Sequence, residues 1–382
     1  MCEEKLFPLK YYIIAGEASG DLHASNLMKE LKKKDPQAEF RFWGGDLMQA
    51  QGGTLVKHYR DLAFMGFAEV LMNLKTILGN ISVAKKDIEA YQPDAVILVD
   101  YPGFNLRIAE FVKKLGIKVY YYISPQIWAW KTGRVHKIKK VVDKMFVILP
   151  FEEEFYQRYD YKVDFVGNPL LDSLNNLPEI NEAKFRKDNN LDNRPIIALL
   201  PGSRTQEIKV KLPLMLSVQK DFPDYQFVVA GAPSQPIKNY KEIAGDDLKI
   251  VENRTYDLLR ISYAALVTSG TATLETALLK VPEVVCYKGN RISYEIGKRV
   301  VKNIRFISLV NLIMDKEVVK ELIQHELTYT NIKHELNLIL NTPKRAQILN
   351  DYEELYHKLG GVGASERTAN LIVDDLKKII NT

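Results

Sequence analysis

Cysteine is nearly missing: Cys2 and Cys286 are the only two in 382 residues. That excludes a disulfide framework and any thiolate zinc spacing, and makes a reducing compartment the expectation. Histidine is scarce as well, with six, and His325-Glu326 and His334-Glu335 each lack the second histidine of a zincin. No Asp-x-Asp pair is present to hold a divalent cation and no nucleophile elbow to build a serine hydrolase, so neither metal nor cofactor is expected. Long apolar runs are missing too. The most apolar stretch, Leu62 to Leu78, is interrupted by Glu69 and Lys75 and is too short to span a bilayer. The opening MCEEKLFPLK shows no basic region followed by an apolar one, so no secretory signal is expected and the cytoplasm is the default. An excess of one charge is also lacking: 53 Lys and Arg face 48 Asp and Glu, a net +5, which argues against nucleic acid as a partner. Only locally does charge accumulate, with six basic residues against Asp143 between Lys131 and Lys144, a patch able to meet phosphate or lipid headgroups.

What is present is ordinary globular composition, 46% hydrophobic and 26% charged, in a chain long enough for two or three domains. Short β-branched and aromatic runs alternate with helical periods, the pattern of parallel sheets covered by helices. The spacing predicts strands over Tyr11–Ala15, Glu39–Trp43, Ala95–Val99, Lys118–Ile123, Lys144–Ile148, Ile196–Leu200, Gln226–Ala230, Ala264–Thr268 and Val284–Tyr287, with a first helix from about Leu22 to Lys33. A Pro- and Asn-rich seam between Asn168 and Arg194 separates two series of strands. The fold class expected is α/β: two Rossmann-like, doubly wound domains over residues 1–172 and 173–355, facing each other across a cleft. A C-terminal amphipathic helix within 356–382 is expected to pack back on an N-terminal domain.

In such sheets ligands bind beyond the carboxyl ends of the strands. Five strand ends carry informative residues. GEASGDLH, Gly16 to His23, fits neither a dinucleotide nor a P-loop fingerprint. Its Glu17 and Asp21 would repel phosphate and suit a hydroxyl-rich ligand, although a tight turn with Asp21 as a helix cap explains the same residues. His23 reads as a hydrogen-bonding partner. AVILVDYPGFN ends a strand on Asp100, placed either as a general base or as a cap. SPQIWAWKTGR sets Trp128 and Trp130 beside Gly133 and Arg134, a wall for a sugar or an anionic group. LLPGSRTQE and TSGTATLE each join a strand to a helix through small residues, so that backbone amides can approach a diphosphate. Arg204 offers a planar fork for phosphate oxygens, and Glu275 a carboxylate for ribose hydroxyls. Two such loops in one half assign a nucleotide to the C-terminal domain.

AGEASGDLH, LAFMGFAEVL, VDYPGFN, SPQIWAW, LLPGSR, SGTATLE and VNLI occur together in the order and spacing of the lipid-A-disaccharide synthases, and the chain resembles that family from about Tyr11 to its terminal helix. The resemblance implies an inverting, metal-free glycosyltransferase of GT-B fold, glycosyltransferase family 19. Such an enzyme joins UDP-2,3-diacylglucosamine to 2,3-diacylglucosamine 1-phosphate, giving a β-1,6-linked disaccharide 1-phosphate and UDP on the path to lipid A and lipopolysaccharide. It puts the base or acceptor-orienting carboxylate at Asp100 with Glu17, Ser19, Gly20 and Asn105 beside it. UDP contacts fall at Arg204, Ser269, Gly270, Thr271, Glu275 and Gln324, and Asn311 and Glu17 join Asp100 as catalytic candidates. Together with the residue reading, the acceptor side gains Trp128 and Arg134, and the amides from Ser269 through Ala272 to Thr273 face the leaving group.

The acyl chains of such substrates give meaning to the apolar stripe of Met65, Phe67, Val70, Leu71, Leu74, Ile77 and Leu78. As a helix it is a candidate for core packing or, in this setting, for peripheral binding to the inner face of the inner membrane. A homodimer is left open. The rival readings are another UDP-hexosamine enzyme of the same fold, a 2-epimerase or a muramyl-peptide GlcNAc transferase, and a two-lobed solute-binding protein.

Overall fold

The computed structural model describes residues 8–62, 74–289 and 305–380. It divides into two compact units, one running up to Asn176 and resuming at Leu359, the other Leu177–Lys358.

The first unit is built on a parallel seven-stranded sheet in the order β3-β2-β1-β4-β5-β6-β7. Its strands are β1 (Lys10–Ala15), β2 (Glu39–Gly44), β3 (Thr54–His58), β4 (Ala95–Val99), β5 (Lys118–Tyr122), β6 (Lys144–Val147) and β7 (Asp164–Phe165). Central strands buried on both faces need apolar side chains at every position, and β4, AVILV, is buried throughout. Alternation then sorts residues by face: Tyr12 and Ile14 enter one core, Tyr11, Ile13 and Ala15 the other. The second unit holds β8 (Ile196–Leu200), β9 (Gln226–Gly231), β10 (Ile250–Glu252), β11 (Ser262–Val267), β12 (Glu283–Tyr287) and β13 (Lys320–Ile323). They form a parallel sheet ordered β10-β9-β8-β11-β12-β13. Strand order reverses between β1 and β4 in one sheet and between β8 and β11 in the other, the switch points where doubly wound sheets open to ligands.

Nine of these strands follow the sequence pattern; β3, β7, β10 and β13 do not. All four are sheet edges. A strand paired on one side and half solvated carries polar residues, as TLVKH and KELI do, and so leaves no apolar run to find.

The first helix, Ala18–Lys34, begins four residues before the expected Leu22, so Gly20 and Asp21 lie in its first turn rather than in a loop. Its buried face, Ala24, Leu27, Met28 and Leu31, shares a core with Ala369, Ile372, Val373 and Leu376 of the terminal helix Ala364–Ile380. Buried Asp172 starts that terminal helix by accepting from the backbone N–H of Gly363 (2.6 Å), Ala364 (3.3 Å) and Ser365 (2.9 Å). Tyr120 donates to Asp375 at 2.7 Å and holds its far end.

Of the apolar stripe, Met65, Phe67, Val70 and Leu71 lie outside the described residues, as does the side chain of Leu74. The described helix runs Leu74–Tyr91, sharing Leu74 to Leu78 with the expected stretch and continuing past it. On it Ile77 packs against the core of the first unit, which corrects its assignment to a lipid-facing surface, whereas Leu78 is 53% exposed. Among the described residues no helix is long and apolar enough to cross a membrane.

Candidate active site

At the first switch point the chain turns sharply after β4. Asp100 and Tyr101 sit consecutively in the left-handed region, φ 45° and 48°, a strained pairing for non-glycine residues. The surroundings fix it. Asp100 N–H donates to the Tyr122 carbonyl (3.0 Å), and its own carbonyl accepts from Tyr121 Oη (2.5 Å) and Asn105 Nδ2 (2.7 Å). Gly16, at the end of β1, gives way to the same turn: a Cβ there would lie 2.4 Å from the Tyr101 ring. With its backbone so held, the Asp100 carboxyl is raised to about 6, chiefly by burial, then by the charge of Glu17, with a backbone hydrogen bond from Tyr101 opposing.

Asp100 lines a cavity of about 260 Å³ together with Ser124, Gln126, Lys131, Arg134 and Glu152. Glu152, which sequence reasoning passed over, is 1% exposed. It accepts from Ser124 Oγ and from the backbone N–H of Ile148 (3.2 Å) and Leu149 (3.0 Å), joining the loops after β5 and β6. Burial pushes its carboxyl to about 7 against those hydrogen bonds. The available signal was LPFEEE, an acid in the first turn of the helix Phe151–Gln157 just after a strand.

Other expected residues on this side have different work. Asn105 is fully buried and its amide N–H donates to the carbonyls of Val99 and Asp100, so it shapes the turn, while its Oδ1 is buried with no hydrogen-bond partner among the described residues. Trp128 packs edge-on against Phe151, ring centroids 4.9 Å apart, and is not part of the cavity wall. The Trp130 side chain lies outside the described residues. Glu17, Ser19 and Gly20 do not line the cavity; Glu17 and Ser19 are exposed at the helix start, and Gly20 is buried against Ala15. Asp21 caps a neighbouring helix, Asp46–Ala50, accepting from Gly45 (2.7 Å), Leu47 and Met48 (both 3.1 Å). His23 has a buried Nδ1 with no hydrogen-bond partner among the described residues, and burial lowers it to about 4.

At the second switch point a cavity of about 390 Å³ opens over the ends of β8 and β11. Arg204, Ser269, Gly270, Thr271, Ala272 and Glu275 all line it. The Arg204 side chain is 81% exposed and lies 3.6 Å from Glu207. Gly202 and Gly270 adopt φ 118° and 127°, open only to glycine without strain. A Cβ at Gly202 would also strike Glu207 Oε2 at 2.3 Å. Tyr256 Oη donates to Glu275 Oε1 at 2.8 Å, orienting a carboxyl whose proton affinity burial raises.

Three expected nucleotide or catalytic residues are elsewhere. Thr273 is fully buried and its hydroxyl donates to the Gly270 carbonyl (2.9 Å). Asn311 is fully buried with its amide spent inside the protein. Nδ2 donates to Val319 O (2.8 Å) and Glu321 Oε1 (3.0 Å), and Oδ1 accepts from Val318 N (2.8 Å) and Val319 N (3.0 Å). It ties the helix Leu309–Met314 to β13, and it does not line the cavity. Gln324, at φ 54° just past β13, does not line the cavity.

Known proteins share the sequence or the fold of this chain along nearly its whole length. It is 40% identical over 377 residues to a lipid-A-disaccharide synthase of Syntrophus aciditrophicus and 38% over 375 residues to one of Geobacter metallireducens, in each case covering 96% of this chain and 97% of the relative. The UDP-GlcNAc 2-epimerase of Methanocaldococcus jannaschii, solved with UDP-GlcNAc and UDP, shares the fold at a TM-score of 0.65 and 14% identity over 96% of this chain and 99% of that one. The sequence pattern of the family described as lipid-A-disaccharide synthetase matches residues 11–373. Two doubly wound units of GT-B type carrying these motifs at their switch points, and relatives this similar along their whole length, place the chain in the lipid-A-disaccharide synthase family of glycosyltransferases.

Proposed function

We propose that the protein transfers the sugar of UDP-2,3-diacylglucosamine to the 6-hydroxyl of 2,3-diacylglucosamine 1-phosphate with inversion. The observation that carries this reading is chemical pairing: a carboxyl titrating near 6 at one switch point and an amide-rich cavity with Arg204 at the other. In one in-line displacement the acceptor O6 forms its bond to the anomeric carbon as the bond from that carbon to the UDP oxygen breaks. The ionised Asp100 carboxylate takes the hydroxyl proton, general-base work suited to a group that is deprotonated at neutral pH and still basic. Arg204 and the amides following Thr268 stabilise the charge growing on the departing diphosphate. Arg134 and Lys131, on the wall shared with Asp100, suit the acceptor's 1-phosphate.

Incubating both substrates with the enzyme and following products by mass spectrometry tests the reading. Equimolar UDP and a tetra-acyl disaccharide 1-phosphate are expected. A donor epimerised at C2, with no disaccharide, would overturn it.

Both substrates carry acyl chains, so we place the working enzyme peripherally on the inner face of the inner membrane. Leu78 and Val83, 53% and 48% exposed on the helix Leu74–Tyr91, supply apolar surface next to the segment expected to bind lipid. Serine at both positions should lower co-sedimentation with anionic liposomes while leaving UDP affinity unchanged; equal sedimentation of variant and parent would rule this surface out.

A further inference from the structure

Lys211 is a buried cation for which the family motifs supply no role. It lies on the helix Thr205–Ser217, one turn after Glu207, and is 2% exposed. Its ammonium donates to Thr268 Oγ1 and stands 4.0 Å from Glu207 Oε2. Burial lowers its proton affinity; Glu207 opposes that, Cys286 of β12 acts in the same sense as Glu207, and Arg204 adds to the lowering. Burial pushes the Cys286 thiol up to about 12, with Lys211 opposing. Thr268 and Glu207 both line the nucleotide cavity, and Thr268 N–H donates to the Leu200 carbonyl at 2.9 Å, pinning it at the switch point between β8 and β11.

An ammonium has only hydrogens to give. Thr268 Oγ1 must therefore accept from Lys211, and its own hydrogen is left to point elsewhere. We propose that Lys211 is a positioning residue for the diphosphate of UDP: from beneath the cavity it fixes Thr268 as a donor toward the phosphates and places a water-shielded positive charge below them. This rests on reading that cavity as the UDP site. A buried lysine held by one hydroxyl and one distant carboxylate is a poor way to stabilise a fold, because an apolar side chain of similar length would avoid the desolvation cost. Its gain lies in the bound state, where an anion overhead uses both the charge and the polarised hydroxyl.

Titration calorimetry with UDP and with uridine, on the parent, Lys211→Met, Thr268→Val, the double variant and Arg204→Ala, tests this. Lys211→Met should weaken UDP roughly tenfold, the scale of a charge-assisted hydrogen bond, with uridine affected less than twofold and the melting temperature not lowered. Thr268→Val should do the same, and the double variant should lose little more than either single one, since the two act as one unit. Parent-like UDP affinity in Lys211→Met, while Arg204→Ala has lost it, would overturn the role of Lys211 and leave the UDP site standing. Equal losses for UDP and uridine would reduce Lys211 to a support of the loops and also overturn the proposal. UDP affinity unchanged in Arg204→Ala as well would instead remove the UDP reading of the cavity. Should Lys211→Met not fold, Thr268→Val carries the same discrimination between UDP and uridine.

Discussion

At the scale of single residues, Asp100 and Glu152 show how burial tunes carboxyls that look alike in a sequence. Asp100 was legible because it ends an apolar run before Pro-Gly; its value near 6 was not, since that depends on burial and on Glu17. Asp100→Asn should keep the fold and UDP affinity while lowering turnover by roughly two to four orders of magnitude. In the parent enzyme kcat/KM should fall as pH drops below about 6, when Asp100 gains its proton; near-normal turnover in the variant would end its assignment as base. Glu152 makes a prediction about stability. Its folded value, about 7, lies above its ordinary 4.5, so between these pH values the folded state binds the extra proton and stability falls as pH rises, by on the order of 3 kcal/mol. Glu152→Gln should remove that part of the decline, measured by chemical unfolding at pH 5 and pH 8. An identical slope in parent and variant would contradict the burial argument.

Among elements, the loops at the switch points matter more than the helices and strands they connect. LLPGSR and TSGTATLE stood out as candidate phosphate loops because small residues between a strand and a helix have few other uses, and residues of both line one cavity. The two glycines differ in a testable way. Among the described residues nothing lies where a Gly270 Cβ would go, so Gly270→Ala introduces backbone strain; Gly202→Ala adds a collision with Glu207. Gly202→Ala should therefore weaken UDP more, by roughly tenfold or beyond against a smaller loss for Gly270→Ala. Calorimetry giving the reverse order would show that Glu207 moves aside easily. The stripe ending at Leu78 carries the opposite lesson. Periodicity showed an apolar face but could not say what covers it, and Ile77 and Leu78, adjacent in sequence, divide between core and solvent.

For the whole molecule, the terminal residues belong to the unit where the chain began. Ala369, Ile372, Val373 and Leu376 are all buried in the first unit's core. Deleting residues from 359 onward would expose that face at a cost of about 6 kcal/mol, comparable to the entire stability of a domain. The shortened chain is expected to lose near-ultraviolet dichroism from tyrosines and Trp43 in the first unit; a parent-like spectrum would mean that the helix is dispensable.

The sequence by itself determined the α/β class and the nine inner strands, and it marked the strand-end loops that line the two cavities, because apolar periodicity and glycine or proline punctuation are local properties of a chain. It did not determine the four edge strands, whose pairing on one side leaves no local pattern. Nor could it divide polar residues between sites and scaffolding. Asn105, Thr273 and Asn311 looked functional and are hydrogen-bonded within the core, whereas Glu152 and Lys211, which sequence reasoning did not single out, are buried beside cavities. Only the tertiary structure decides such cases, since desolvation and hydrogen-bond partners come from segments far apart in the chain.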